Sequence, residues 1–172
     1  MNVALILPAR DEAECIAMVV MEARRHFSFE IIVVDNGSRD ATAQRAAAAG
    51  ARVVAETTPG YGRSCMAGVG AAADADIFVF MDADGSDCPE DIPLLLAEIA
   101  RGAAIALGVR SGDRVVSGSI APAARFGNWL SGTLIGFRSG RRIKDLSPLK
   151  AITREALDRI GPTEMTYGWT VE

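Results

Sequence analysis

Two aspartates one residue apart close an apolar run in the segment Phe80-Met81-Asp82-Ala83-Asp84-Gly85. The run Ile77–Met81 reads as a buried strand of a parallel sheet. In open α/β sheets, ligands bind outside the carboxyl ends of the strands. Strand side chains repeat every second residue, so Asp82 and Asp84 point the same way if the chain stays extended. Hard oxygen donors side by side suit Mg²⁺ or Mn²⁺, which commonly join one or two carboxylates to substrate phosphates. The pair therefore predicts a site for a divalent metal and a diphosphate.

Other polar segments fall at other strand ends. The strand predicted over Val3–Leu7 runs into Pro8-Ala9-Arg10-Asp11-Glu12, and the strand over Ile31–Val34 runs into Asp35-Asn36-Gly37-Ser38-Arg39-Asp40-Ala41-Thr42. An aspartate at the end of a second strand can accept hydrogen bonds from a nucleotide base or ribose. Gly37 permits a tight turn, while Ser38, Asp40 and Thr42 read first as caps of the helix that follows. In Gly60-Tyr61-Gly62-Arg63 the glycines allow close backbone approach to a ligand, and Arg63 is placed to meet a phosphate or base. No GxGxxG follows the first strand, so this is not a dinucleotide fingerprint.

These segments need a sheet to bring them together. Helical patterns separate the apolar runs: Ala13–Arg25, alanine-rich Ala41–Ala49, Gly60–Ala73 (a loop that becomes a helix) and Pro89–Ala100, with Asp87 as its cap. Further strands are predicted over Arg52–Ala55, Ala104–Val109 and Leu149–Ile152, and further helices over Ala121–Phe137 and Arg154–Ile160. Strand–helix alternation of this kind predicts an α/β fold, three layers deep, with a mostly parallel sheet. A length of 172 residues fits one domain with a proper core.

Composition excludes several classes. A net charge of −4 gives no global electrostatic case for nucleic acid. The three cysteines, Cys15, Cys65 and Cys88, form no CxxC or Cys/His cluster and read as reduced, buried thiols. No stretch approaches the ~18–20 apolar residues needed to span a bilayer. The expected location is cytoplasmic, with contact at the inner membrane face open to it. The lone His26 reads as a surface residue at a helix end.

Taken in order and spacing, Pro8-Ala9-Arg10-Asp11-Glu12, Val34-Asp35-Asn36-Gly37-Ser38-x-Asp40-x-Thr42, Gly60-Tyr61-Gly62 and Asp82-Ala83-Asp84 with Pro89-Glu90-Asp91 resemble family 2 glycosyltransferases of the GT-A fold. The branch they are most similar to contains the dolichyl-phosphate sugar synthases. The resemblance covers residues 1–110, implying a nucleotide-sugar and metal half there and an acceptor-side half over 111–172. It implies that Asp35 binds the base or ribose, with Pro8, Ala9, Arg10 and Glu12 alongside and Gly37, Gly62 and Arg63 in the surrounding loops. Asp82 and Ala83 would face the ribose and metal, and Asp84 would be the principal ligand of Mg²⁺ or Mn²⁺. Asp145-Leu146-Ser147-Pro148-Leu149-Lys150-Ala151 resembles the family's acceptor-side segment, and Tyr167–Glu172 one that closes that side. In this chain Asn36 replaces a frequent second Asp, Ser86-Asp87 replaces a Gln-His or Ser-His pair, and the chain stops at Glu172 where family members continue, which reads as a shortened C-terminal side.

The implied chemistry is inverting transfer of a sugar from a UDP- or GDP-linked donor. A hydroxyl acceptor needs a general base, for which Asp145 and Glu172 are the candidates. A lipid phosphate at the membrane surface, already anionic, needs none. The Arg138/Arg141/Arg142/Lys144 cluster is placed to hold such a phosphate, with Trp169 lining the sugar, although a solvated basic loop is the plainer reading of that cluster. Two alternatives compete. A non-catalytic nucleotide-sugar-binding module would keep the same motifs without turnover. A haloacid dehalogenase-like phosphatase would use Asp82 as nucleophile, but that pattern normally ends the first strand and here ends the fourth.

Overall fold

The structure, a computed structural model, describes residues 1–108 and 148–163. Its elements run β1 (Val3–Ala9), α1 (Ile16–His26), β2 (Glu30–Asp35), α2 (Thr42–Ala48), β3 (Arg52–Ala55), α3 (Tyr61–Ala71), β4 (Ile77–Phe80), a 3₁₀ turn (Pro89–Asp91) leading into α4 (Ile92–Ala100), β5 (Ile105–Leu107), β6 (Lys150–Thr153) and α5 (Arg154–Ile160). The helix expected over Ala121–Phe137 and the basic loop over Arg138–Lys144 lie outside the described residues.

The six strands form one sheet in the order β3-β2-β1-β4-β6-β5. Pairings among β3, β2, β1 and β4 are parallel. Alternation along each strand sorts its side chains onto two faces. Leu5, Leu7, Ile31, Val33, Ile77 and Val79 meet Ile16, Val19, Val20, Ala46, Leu95 and Ile99 from α1, α2 and α4. Ala4, Ile6, Ile32, Val34, Phe78 and Phe80 meet Cys65 and Val69 of α3 and Leu157 of α5. The result is the expected three-layer α/β arrangement, with strands apolar on both faces because both are covered. Phe78 and Phe80 are fully buried, and each such side chain contributes about 1.5–3 kcal/mol relative to exposure.

Helix α3 sits close on the sheet. A Cβ built at Gly68 would lie 2.5 Å from Ile6 Cγ2 and 3.2 Å from Val34 Cγ2. Only a residue without a side chain lets the helix approach β1 and β2 so nearly. Arg154 fastens the other end of this layer. Its guanidinium donates to the carbonyls of Ala72, Ala73 and Ala75 and lies 4.7 Å from the centre of the Phe78 ring.

The structure corrects the sequence reading in three places. The fifth strand keeps the direction of β4 but does not pair with it. β5 has no ladder with β4; β6 lies between them, antiparallel to both. The helix over Pro89–Ala100 is divided, because Pro93 lacks the N–H that would reach back to Pro89; Ile92 N–H bonds the Pro89 carbonyl instead. Asp87 does not cap it. The position before the turn is Cys88, without a side-chain bond, and Asp87 Oδ2 accepts from Asp82 N–H at 3.1 Å.

Candidate functional site

The chain runs outward from β1 through β2 to β3, then returns to place β4 on the other side of β1. The carboxyl ends of β1 and β4 therefore flank the point where the strand order reverses. Loops diverge to opposite faces there and leave a crevice. A cavity of about 290 Å³ opens at this point, lined by Pro8–Arg10 and Glu12 after β1, Asn36 after β2, Pro59–Tyr61 and Ser64 at the start of α3, and Asp82–Asp84 after β4.

The β1 and β2 loops are tied to each other. Asp11 has φ +57°, a left-handed conformation that side chains disfavour. It is held there from both ends: its N–H donates to Ser38 Oγ (3.0 Å) and its Oδ1 accepts from Arg39 N–H (2.7 Å). Glu12 N–H donates to Thr42 Oγ1 (2.8 Å), Ala13 N–H to Asp40 Oδ2 (3.1 Å), and Arg45 Nη1 to the Ala13 carbonyl (2.6 Å). The capping role read from sequence is not what these residues do: the position before α2 is Ala41, without a side-chain bond, and only Asp40 reaches the helix start, its Oδ1 accepting from Thr42 N–H (3.0 Å). Ser38, Asp40 and Thr42 instead fix the loop that carries Arg10 and Glu12 to the cavity.

Past β4 the chain leaves the sheet but keeps its alternation. Met81 and Ala83 turn into the α1/α4 side of the core, and Asp82 and Asp84 face the cavity. Asp82 is half-buried, accepting from Tyr61 Oη at 3.2 Å and bracing its own N–H on Asp87. Asp84 is exposed, with Oδ1 accepting from Ser86 N–H at 2.8 Å. Burial drives the Tyr61 hydroxyl well above its usual range, with the charge of Asp82 adding to the effect. It stays a neutral donor. Beneath it, Cys65 is a buried thiol, also raised by burial.

Glu12 completes an acidic rim. Its carboxyl is raised above the usual glutamate value of 4.5, first by burial and then by the charges of Asp84, Asp40, Asp82 and Asp11. A carboxyl raised by folding stabilises the folded chain fully below its unfolded value and loses that contribution as pH climbs through the raised one. Glu12→Gln is therefore expected to melt higher than the parent at about pH 7 in the absence of metal, and the gap should close at about pH 4, near the unfolded glutamate value. Thermal melts at the two pH values check this.

Of the residues singled out from sequence, Pro8, Ala9, Arg10, Glu12, Asp82, Ala83 and Asp84 come together around this one cavity. Asp35, Gly37, Gly62 and Arg63 stand outside its lining. Asp35 shares its face of β2 with Val33, away from α3, and its Oδ1 accepts from Ser38 N–H at 3.1 Å. Gly37 is exposed at φ +74°, where glycine is required by the turn. Gly62 is buried in the first turn of α3, and Arg63 next to it turns outward. Arg138, Arg141, Arg142, Lys144, Asp145, Trp169 and Glu172 lie outside the described residues. The cavity is also lined by Asn36, Gly60 and Tyr61, read from sequence only as parts of their motifs, and by Pro59 and Ser64, which the sequence reading passed over. Tyr61 and Ser64 are three apart on α3 and so share a face, a spacing visible in sequence. Lys150, 4% exposed on β6 opposite Phe80, places a buried ammonium whose charge bears on Cys65.

The donor set fits a shared divalent cation. Among the described residues no three His, Cys, Asp or Glu side chains gather as a closed metal cage. A carboxylate pair on a cavity wall is the arrangement Mg²⁺ or Mn²⁺ takes when substrate phosphates and water complete its octahedron. Asp84, exposed, and Asp82, anchored by Tyr61, would hold it.

Comparison with known proteins identifies the family and the fold. An uncharacterized glycosyltransferase of Mycobacterium tuberculosis is 37% identical over 171 residues, covering 99% of this chain and 76% of its own. The undecaprenyl-phosphate mannosyltransferase of Micrococcus luteus is 30% identical over 194 residues, covering 100% of this chain and 76% of its own. The crystal structure of glucosyl-3-phosphoglycerate synthase from M. tuberculosis with Mn²⁺, uridine diphosphate and phosphoglyceric acid superposes with a TM-score of 0.76 at 27% identity, over 97% of this chain and 60% of that one. The chain spans about six-tenths of the length of the solved structures it matches. The family pattern described as Glycosyl transferase family 2 matches residues 4–161. That match runs from β1 through α5, so the strand bearing the carboxylates and the strand that closes the sheet fall inside one pattern: the chain belongs to glycosyl transferase family 2 and has the GT-A fold.

Proposed function

We propose that this chain transfers a sugar from a nucleotide-diphosphate donor to an acceptor oxygen, with a divalent cation at Asp84 and Asp82. The observation that carries the reading is the placement of both carboxylates on the wall of the cavity at the β1/β4 switch point, shared with the Pro8–Glu12 loop. Uridine diphosphate is the favoured donor nucleotide, because a structural neighbour was crystallised with it and Mn²⁺. A polyprenyl phosphate is the favoured acceptor, by likeness to the undecaprenyl-phosphate mannosyltransferase. No described helix is long and apolar enough to cross a membrane, so the described part of the chain would meet such an acceptor at the surface of the bilayer.

In this reading the acceptor oxygen attacks the anomeric carbon as the bond from that carbon to the β-phosphate oxygen breaks. The electron pair leaves with the diphosphate, and a single in-line displacement inverts the sugar. When bound, the cation supplies Lewis-acid neutralisation of the charge that develops on the diphosphate. Asp84 and Asp82 fix where that charge is met, and such preorganised electrostatics is usually the largest catalytic contribution. Tyr61 holds Asp82 in place, and Glu12 and Arg10 also line the cavity. With a phosphate acceptor no proton must be removed. With a hydroxyl acceptor, Asp145 or Glu172 would be the base.

The test is a thermal-shift series with UDP-, GDP- and dTDP-sugars in Mn²⁺, followed by donor hydrolysis. Binding to the folded state raises the melting temperature by mass action, by about 2.7 kcal/mol of stability at a hundredfold excess over Kd. A response to UDP-sugars with slow release of UDP supports the proposal. Binding without turnover, even with polyprenyl phosphate present, would favour the binding-module alternative, and no response to any nucleotide sugar would overturn the proposal.

A further inference from the structure

Asn36 lines the cavity, and its side chain is engaged by the backbone. Both hydrogens of Nδ2 are spent on backbone carbonyls, those of Glu56 (2.8 Å) and Thr58 (2.9 Å), and Oδ1 accepts from Gly60 N–H (2.9 Å). One planar amide thus gathers three backbone groups of the segment between β3 and α3. The segment has supports of its own: Thr58 N–H donates to Glu56 Oε1 (2.7 Å), and Glu56 N–H to the Asp35 carbonyl (2.9 Å). Gly60 sits at φ +151°, a conformation glycine tolerates and other residues avoid. Its carbonyl then accepts from Ser64 N–H and Oγ, opening the first turn of α3. Pro59, Gly60 and Tyr61 line the cavity together with Arg10 and Glu12.

We infer that Asn36 is a positioning residue: it sets the Pro59–Tyr61 wall of the donor cavity through backbone bonds and does not read the nucleotide itself. The amide is required because two donors and one acceptor must issue from one side chain of this length. An aspartate supplies acceptors only when ionised. At position 36 it would set a carboxylate oxygen against the Glu56 and Thr58 carbonyls at hydrogen-bonding distance with no proton between them. The bond from Gly60 would survive and the other two would become repulsive.

The inference rests on the donor-cavity reading, and its test separates the two. Asn36→Asp and Asn36→Ala are compared with wild type by hydrogen exchange without ligand, by UDP affinity in Mn²⁺ and by donor kinetics. The side chain is partly exposed and takes no part in the sheet ladder, so both variants keep β1 and β2. In both, the Gly60 and Ser64 amides should exchange at least about tenfold faster while those of Ile32 and Val33 hold, a tenfold change being 1.4 kcal/mol. UDP should bind about tenfold more weakly and donor KM rise in step, with kcat within about threefold, the signature of a lost binding wall rather than a lost transition-state contact. Asn36→Asp should be no better than Asn36→Ala. Unchanged exchange at Gly60 in Asn36→Asp overturns the inference, and so does weakened UDP binding over an undisturbed segment, which would put Asn36 on the nucleotide. Failure of wild type to bind UDP would instead strike the donor reading, and the ligand-free exchange data would still decide the role of Asn36.

Discussion

Asp84→Ala is expected to lose about a thousandfold or more in donor turnover, with Mn²⁺-dependent UDP binding reduced to the metal-free level. The size follows from charge. In the proposed reaction the leaving diphosphate gains negative charge in the transition state, and the exposed carboxylate of Asp84 on the cavity wall would hold the cation that meets it. The fold should be indifferent. Asp84 contributes a bond to Ser86 N–H in an exposed turn, a contact worth about 1 kcal/mol at most. Asp84→Asn keeps an oxygen for that bond and loses the charge, so it should melt like wild type and turn over as poorly as the alanine variant. Calorimetric titration of UDP with and without Mn²⁺, beside a donor-hydrolysis assay, makes the measurement. Turnover within tenfold of wild type in either variant would remove Asp84 from the metal site.

Gly68→Ala is expected to cost about 2 kcal/mol in stability, through overpacking rather than helix propensity. The new methyl would lie 2.5 Å from Ile6 Cγ2, and Ile6 is fully buried in β1 with no room to yield. For a chain of this length the melting temperature should fall by about 4–8 °C. Gly70→Ala is the control. It lies on the same helix, with nothing within 4 Å of the point where its methyl would stand, and should stabilise by about 0.5–1 kcal/mol. Because α3 carries Tyr61 and Ser64 to the cavity, Gly68→Ala should also weaken UDP binding. Equal melting of the two variants would show that α3 does not approach the sheet as closely as described.

How far the sequence discloses the site depends on how local each cause is. β1, β2 and β4 are legible because they are buried on both faces and read as unbroken apolar runs. Parallel strands then place Pro8–Glu12 and Asp82–Asp84 at one edge, which is why those residues meet as expected. Asp35 departs through parity: it follows Val33 onto the α1/α2 face, whereas the cavity opens on the α3 side. The bonds of Asn36 are hidden from a sequence reading because their partners lie 20 or more residues downstream. The cross-ties of Ser38, Asp40 and Thr42 are hidden likewise, since they reach back about 30 residues to the β1 loop. Asp87 is a nearer miss: it stands one residue ahead of the cap position, Cys88, and its Oδ2 accepts from Asp82 N–H.

β6 has a consequence for how the protein is made. It supplies the outer hydrogen-bonding neighbour of β4 and the ladder partner of β5, and it reaches the ribosome exit more than sixty residues after Asp84. Until then, among the described strands, β4, which leads into the aspartates, lacks its outer neighbour and β5 lacks its ladder partner. Sequence-distant closure of this kind slows folding and exposes unpaired backbone to other chains. The edge that borders the cavity is therefore among the last parts of the sheet to be sealed, and under the proposed function competence to bind a donor would arrive late in synthesis and depend on nascent chains being kept apart meanwhile.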